Sequence, residues 1–255
     1  MMRAKSVTSF MGNGIMNIGI IGAEGKMGQA LVSQITASKQ AKLTCALVNP
    51  KSENIGRICG GVPLSSDLQS GLEICDVIID FSTPKTTLEA ATLMQNTRCK
   101  ALVTGTTGYS AEEEEKLLAL GKNAILVKSG NFSIGICVLD ILVEQASRLL
   151  PKDWRFDILD IHHKHKLDAP SGTALMLGNS GEKTVGRTAD YKDIRRGDII
   201  GEHYVNFSSP LETITLSHKA NERSIFAQGA LHAALWAYYK PAGLYSMRDV
   251  LGLKS

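Results

Sequence analysis

The residues best able to do chemistry are crowded into one segment, HHKHKLDAPSGTA, running from His162 to Ala174. Three histidines (His162, His163, His165) and two lysines (Lys164, Lys166) fall within five positions, followed by Asp168, Pro170 and small residues. A lysine ammonium can pair with an anion and give up a proton, and a histidine beside it titrates near neutral pH and can relay one. Pro170 disfavours helix at Ala169, so a helix should begin near Ser171 and turn its first N–H groups, those of Gly172 and Thr173, toward the basic residues. A helix N-terminus faced by lysine and histidine is an anion site suited to a carboxylate.

Two other readings compete. A charge run is usually a solvated loop. His162, His163, His165 and Asp168 could also ligate a metal, but the H-E-x-x-H and cysteine-pair patterns are absent, and successive strand residues face opposite ways, so His162 and His163 would not easily share an ion. The reading adopted is an anion site with no metal.

The flanking sequence supplies the elements that hold this segment. FDILDI, with Phe156, Ile158, Leu159 and Ile161, reads as a strand delivering the histidines to a sheet edge or cleft. GDIIGEHYVNF, ETITLSHKA and RSIFAQ read as further strands, GALHAALWAYYK as an apolar helix, and the tail PAGLYSMRDVLGL as a short helix. Together they make an α+β unit with a mixed, largely antiparallel sheet.

The first half is patterned differently. NIGII, KLTCALV, DVIIDF, ALVTG and AILVK are short buried-type strands separated by helical stretches such as GQALVSQITAS, PKTTLEAATLMQN and SAEEEEKLLALGKN. Ser110 and Glu113 fit a capping box. Strands alternating with helices imply a Rossmann-like, doubly wound parallel sheet. The turn after the first strand reads Gly22-Ala23-Glu24-Gly25-Lys26-Met27-Gly28, in which the glycines permit a tight turn, close approach of a pyrophosphate and helix–strand packing. Glu24 is out of place beside an anion and is expected to point outward. Phe81-Ser82-Thr83-Pro84 and Gly105-Thr106-Thr107-Gly108 put small polar residues at two more strand ends, where ligands of such sheets sit. The second strand ends Val48-Asn49-Pro50-Lys51, without the acid that usually holds the ribose; Lys51, and less surely Arg57, could meet a 2′-phosphate.

Composition sets the outer limits. Of 255 residues 44% are apolar, as in a globular protein with real cores, and the net charge of +3 from 28 basic and 25 acidic residues gives no sign of nucleic-acid or membrane binding. The five cysteines are scattered without a C-x-x-C pair, which points to a reducing compartment. Residues 1–15 are polar, lack a signal-peptide core, and are expected to be a disordered extension; a transit peptide is the lesser alternative.

HHKHKLDAPSGTA, GAEGKMG, DFSTP, GTTG, SGNFSIG, GDIIGEH and MRDVL together resemble the dihydrodipicolinate reductase (4-hydroxy-tetrahydrodipicolinate reductase) family of lysine synthesis, from about Met16 to the C-terminus. The resemblance implies reduction of a cyclic dicarboxylate with NADPH or NADH, by a cytoplasmic homotetramer joined through the second domain's sheet. It implies His162 as proton donor/acceptor and Lys166 as proton donor, with His163, Ser171, Gly172 and Thr173 at the substrate. The cofactor would lie on Gly22, Ala23, Glu24, Gly25, Lys26 and Met27, near Asn49 and Lys51, on Gly105, Thr106 and Thr107, and on Ser129, Gly130, Asn131 and Phe132. Residues 16–132 with 241–255 would form the nucleotide domain and 133–240 the substrate and oligomerisation domain. The family commonly has an acid at the position of Val48, so its absence here favours NADPH modestly. The stretch from Ala174 to Ile200 is also shorter than the family's usual path. The rival reading is a dinucleotide-binding sensor without catalysis, with a metal-dependent hydrolase third; intact His162 and Lys166 speak for the enzyme.

Overall fold

A computed structural model describes residues 14–253; the extension expected over residues 1–15 falls almost entirely outside them. The elements in chain order are β1 (Met16–Ile21), α1 (Lys26–Ala37), β2 (Ala41–Leu47), β3 (Ile58–Cys59), β4 (Val62–Ser65), α2 (Leu68–Ile74), β5 (Val77–Asp80), α3 (Pro84–Leu93), β6 (Ala101–Thr104), α4 (Ala111–Leu120) and β7 (Ile125–Lys128). Then come α5 (Ile134–Leu149), β8 (Arg155–His162), α6 (Gly172–Val185), β9 (Asp190–Arg195), β10 (Glu202–Ser208), β11 (Thr213–Lys219), α7 (Ser224–Ala237), β12 (Gly243–Tyr245) and α8 (Met247–Val250).

The chain divides into two units, one ending at Phe132 and resuming at Phe226, the other Ser133–Ile225. The first crossing falls within SGNFS and the second two residues inside α7. RSIFAQ is accordingly not a strand. Its residues from Ser224 belong to α7, whose Ala227, Ala230, Ala233, Ala234 and Ala237 are buried. Six residues with only Ile225, Phe226 and Ala227 apolar do not distinguish strand from buried helix by period, and the alanines that follow decide for helix.

In the first unit the sheet order is β12-β7-β6-β5-β1-β2-β4-β3. All neighbours pair in parallel except β3 with β4. This is the doubly wound sheet the sequence predicts. β5 and β6 are buried at every residue, as central parallel strands covered on both faces require. The winding reverses at β1, between β2 and β5, which makes the carboxyl end of β1 the place for a ligand. Ser110 and Glu113 complete both halves of the capping box at the start of α4.

In the second unit the order is β11-β10-β8-β9. β10 is antiparallel to β11 and β8, and β9 is parallel to β8. Along β8 every second residue is buried, so Phe156, Ile158, Asp160 and His162 share the inner face. Phe156 stacks on Phe207 of β10 with centroids 4.9 Å apart. Ile136, Leu139 and Val143 of α5 and Ala174 and Leu177 of α6 close the core over them. The inner face of β8 therefore starts apolar and ends in an acid and a histidine.

Candidate active site

In the first unit, the turn after β1 is built as the glycine pattern requires. Gly22 has φ +84°, a conformation that side chains rarely adopt, and a Cβ on Gly28 would meet the Gly22 carbonyl at 2.1 Å. The N–H groups of Gly22 and Ala23 both donate to the Leu47 carbonyl, at 2.9 and 3.0 Å, tying the turn to the end of β2. No side chain caps α1 at Gly25, and no acid stands in its first turn, which carries Lys26 and Met27 instead. An uncapped helix start with a lysine is a fitting cradle for a pyrophosphate. Glu24 is exposed but does not turn away: its Oε1 accepts from Ser52 Oγ at 2.9 Å and Asn54 Nδ2 at 2.6 Å, both in the loop after β2. Asn49 Oδ1 accepts from the Lys51 N–H at 2.9 Å, and both residues are exposed.

The DFSTP and GTTG loops are held by a residue the sequence reading passed over. Asp80 is fully buried and accepts from Ser82 Oγ (2.5 Å), Thr87 Oγ1 (2.6 Å), Thr104 Oγ1 (2.8 Å) and Thr106 Oγ1 (3.0 Å). A buried carboxylate with four hydroxyl donors pins two strand ends together. The Thr106 side chain is thus spent on the scaffold, whereas Thr107 is exposed and Gly105 half-buried. In the third loop Ser129 Oγ donates to the Asn131 carbonyl at 2.6 Å. Gly130 is exposed, and Phe132 is buried edge-on against Phe81, centroids 5.7 Å apart. Phe132 anchors that loop.

In the second unit the end of β8 carries the ionic centre. Asp160 Oδ1 lies 2.8 Å from His162 Nδ1 and 3.3 Å from His203 Nε2, and Oδ2 lies 3.0 Å from Arg195 Nη2. The His162 contact is bent, its ring N–H not aimed at the oxygen, so it is an ion-pair contact more than a linear hydrogen bond. Ser171 donates its N–H to Oδ2 at 2.9 Å and its hydroxyl to Oδ1 at 2.8 Å. Burial works against the Asp160 charge, but the donors of His162, His203 and Ser171 outweigh it and hold the carboxyl well below the usual carboxylate range. Ser171 also caps α6, accepting from the Ala174 N–H at 3.2 Å. Ser171 is buried, and its hydroxyl is engaged in fixing the start of α6 to β8.

Asp160, His162 and His203 are also the group that could offer a metal one ligand atom each, all within 4.8 Å of one another. Of the set His162, His163, His165 and Asp168 considered from the sequence, only His162 belongs to this group. Arg195 already compensates the Asp160 charge, so an ion-pair network is the simpler account.

Beyond β8 the loop opens to solvent. Lys166 Nζ lies 2.9 Å from Asp168 Oδ1. The His163 ring is pushed below its ordinary pKa, first by desolvation and then by the positive neighbours Arg223, His162, His165 and Lys166. A Cβ placed on Gly172 would meet nothing within 4 Å, and the Gly172 N–H is, with Lys166, among the groups that outweigh desolvation and hold the Asp168 carboxyl below its ordinary pKa. Lys166, His163 and the α6 N-terminus thus present positive potential from one short segment.

Comparison with known proteins bears on both units. The description of the dihydrodipicolinate reductase N-terminus matches residues 16–132 and that of its C-terminus residues 135–251. A 4-hydroxy-tetrahydrodipicolinate reductase of Rhizobium rhizogenes is 43% identical over 276 aligned positions, covering 96% of this chain and 100% of its own. The chain belongs to the dihydrodipicolinate reductase family. A second relative of the same name, from Brucella melitensis, is 38% identical and covers 94% of this chain and 100% of its own. A solved dihydrodipicolinate reductase from Paenisporosarcina sp. TG-14, with dipicolinate bound, is 22% identical; its TM-score is 0.79, and it covers 92% of this chain and 99% of that one. The fold is shared with it.

As a member of this family of lysine and diaminopimelate biosynthesis, the chain is an oxidoreductase with a dinucleotide-binding fold. The 276 positions aligned with the R. rhizogenes reductase exceed the 255 residues here, so that relative carries residues this chain lacks. The short return from α6 to β9 is secured by Arg187, which is buried and donates to the carbonyls of Leu150 (3.1 Å) and Pro151 (2.6 Å). Among the residues of this reductase that the sequence reading missed, Asp160 lay within reach: it is two positions before His162 and so on the same face of the strand.

Proposed function

We propose that this reductase acts on 4-hydroxy-tetrahydrodipicolinate, which with a reduced nicotinamide and a proton gives tetrahydrodipicolinate, the oxidised nicotinamide and one water carrying off the 4-hydroxyl, with NADPH modestly preferred over NADH. The observation that carries the substrate side is the convergence of Lys166, His163 and the start of α6 on one segment. The cofactor side is supported by the fit of the Gly22–Gly28 turn and the uncapped α1 to a pyrophosphate. A reduced nicotinamide bound there would supply hydride to an unsaturated ring carbon.

The remaining steps belong to this chain's side chains. The α6 N–H groups and His163 hold a substrate carboxylate, and Lys166 pairs with it in place of Asp168. Lys166 Nζ gives its proton to the electron-rich carbon left by reduction. His162, steadied by Asp160, serves as the proton relay. Lys51, exposed and without an ion pair among the described residues, supports the preference for NADPH by attracting a 2′-phosphate.

The proposal extends to a homotetramer joined through the second sheet, whose strands β9 and β11 expose Ile194 and Ile214, and to work in the cytoplasm. Among the described residues no helix is long and apolar enough to cross a membrane. The test of function is direct. Purified protein should oxidise NADPH when mixed with freshly made hydroxy-tetrahydrodipicolinate, and only then. Absence of oxidation with either cofactor would refute the proposal.

A further inference from the structure

The position of Glu24 has a chemical consequence. Folds of this type usually end the second strand in an acid that accepts from the ribose 2′-hydroxyl. Here that strand ends at Leu47 and is followed by buried Val48 and exposed Asn49, whose side chain is engaged by the Lys51 N–H. Glu24 reaches across from the first turn, and its carboxylate lies against the same loop, held by Ser52 at 2.9 Å and Asn54 at 2.6 Å. The loop's other charged groups, Lys51, Glu53 and Arg57, are exposed.

We propose that Glu24 is a specificity-determining residue of this enzyme, standing in for the missing strand acid and holding back NADPH relative to NADH. The proposal rests on the reading that a nicotinamide cofactor lies on the first turn. A carboxylate accepts hydrogen bonds from a ribose diol but repels a phosphate at the 2′ position. Ser52 and Asn54 matter because a free, exposed glutamate would lose rotamer freedom on binding, whereas a tethered one is already placed. Lys51 pulls the other way, so the modest preference proposed above is a balance of two opposed charges.

The test is calorimetric titration of the wild type and Glu24→Gln with 5′-AMP and 2′,5′-ADP, which differ by the 2′-phosphate, and with NADH and NADPH. Glutamine keeps an oxygen for Ser52 and Asn54 but removes the charge. The variant should bind 2′,5′-ADP tighter relative to 5′-AMP by roughly three- to tenfold, NADPH should gain over NADH by a like factor, and the gain should shrink as salt rises. Asn54→Ala, which releases the carboxylate, should move the NADPH-to-NADH ratio in the same direction but by less. Unchanged ratios in a folded Glu24→Gln protein that binds both cofactors would overturn the assignment of Glu24 alone. Loss of all four ligands in that variant, with its fold intact by circular dichroism, would overturn it too, by making Glu24 a scaffold of the loop. A wild type that binds none of the four would overturn this proposal together with the cofactor reading beneath it.

Discussion

Lys166 Nζ lies 2.9 Å from Asp168 Oδ1, so the ammonium that should hold a substrate carboxylate is held by a carboxylate of its own loop. Asp168 is more than half exposed and Lys166 about a quarter, so the pair is cheap to open, about 1 kcal/mol or less. Asp168 then acts as a weak internal competitor. Asp168→Asn should tighten binding of pyridine-2,6-dicarboxylate by roughly two- to fivefold. Weaker binding in that variant, measured by calorimetry, would show instead that Asp168 orients Lys166 for the ligand.

Removing the proton donor should affect turnover and leave the cofactor alone. Lys166→Met should lower kcat by roughly 10²–10⁴, the range for general acid–base residues, without changing NADPH affinity. His162→Ala should act in the same direction. Their combination should cost less than the two effects summed, because the residues act as a unit. Strict additivity in steady-state kinetics would separate their roles.

Asp160 tests the ionic centre through stability. Its loss leaves Arg195 facing an unpaired site, so Asp160→Asn should destabilise the protein by about 3–5 kcal/mol at neutral pH. The carboxyl is held low in the folded protein, so its contribution is complete above the ordinary carboxylate value, about 3.9, and falls as pH drops below it. There the unfolded chain takes up a proton that the folded one does not, at about 1.4 kcal/mol per pH unit. Urea melts should therefore show the gap between wild type and variant narrowing from pH 5 to pH 2.5. A constant gap would mean that Asp160 titrates alike in both states.

His163 gives a second pH signature. Desolvation first, and then its positive neighbours, hold the ring below its ordinary pKa. A bound dicarboxylate would favour the protonated ring and raise that pKa. Inhibitor affinity should therefore rise as pH falls from 7 toward 5, and His163→Gln should flatten the rise. Affinity that ignores pH in the wild type would remove His163 from the carboxylate site.

What the sequence disclosed followed from local physics. The apolar runs of β1, β5, β6 and β7, the Ser110–Glu113 cap and the helix start at Ser171 are each written in a few adjacent residues. The segment of β3, β4 and α2 was not legible, since two- and four-residue strands give no period to read. DYKDIR was passed over because β9 is mostly exposed and polar, and Arg195 went with it. Asp80 and the joining of Asp160 to His203 and Arg195 depend on which strands lie side by side. Sequence alone gives the residues of those clusters, and only the pairing of β5 with β6 and of β8 with β9 and β10 brings them together.

The central claim is that this chain moves a hydride from nicotinamide to a cyclic dicarboxylate and completes the reaction with a proton drawn through Lys166. The most direct measurement is mass spectrometry of the product made with NADPH deuterated at the transferable C4 position, in H2O, and with unlabelled NADPH in D2O. The account predicts one deuterium from the cofactor in the first case. In the second it predicts a solvent deuterium at a different ring carbon, its incorporation slowed with turnover in Lys166→Met. Product without cofactor deuterium would contradict the assignment.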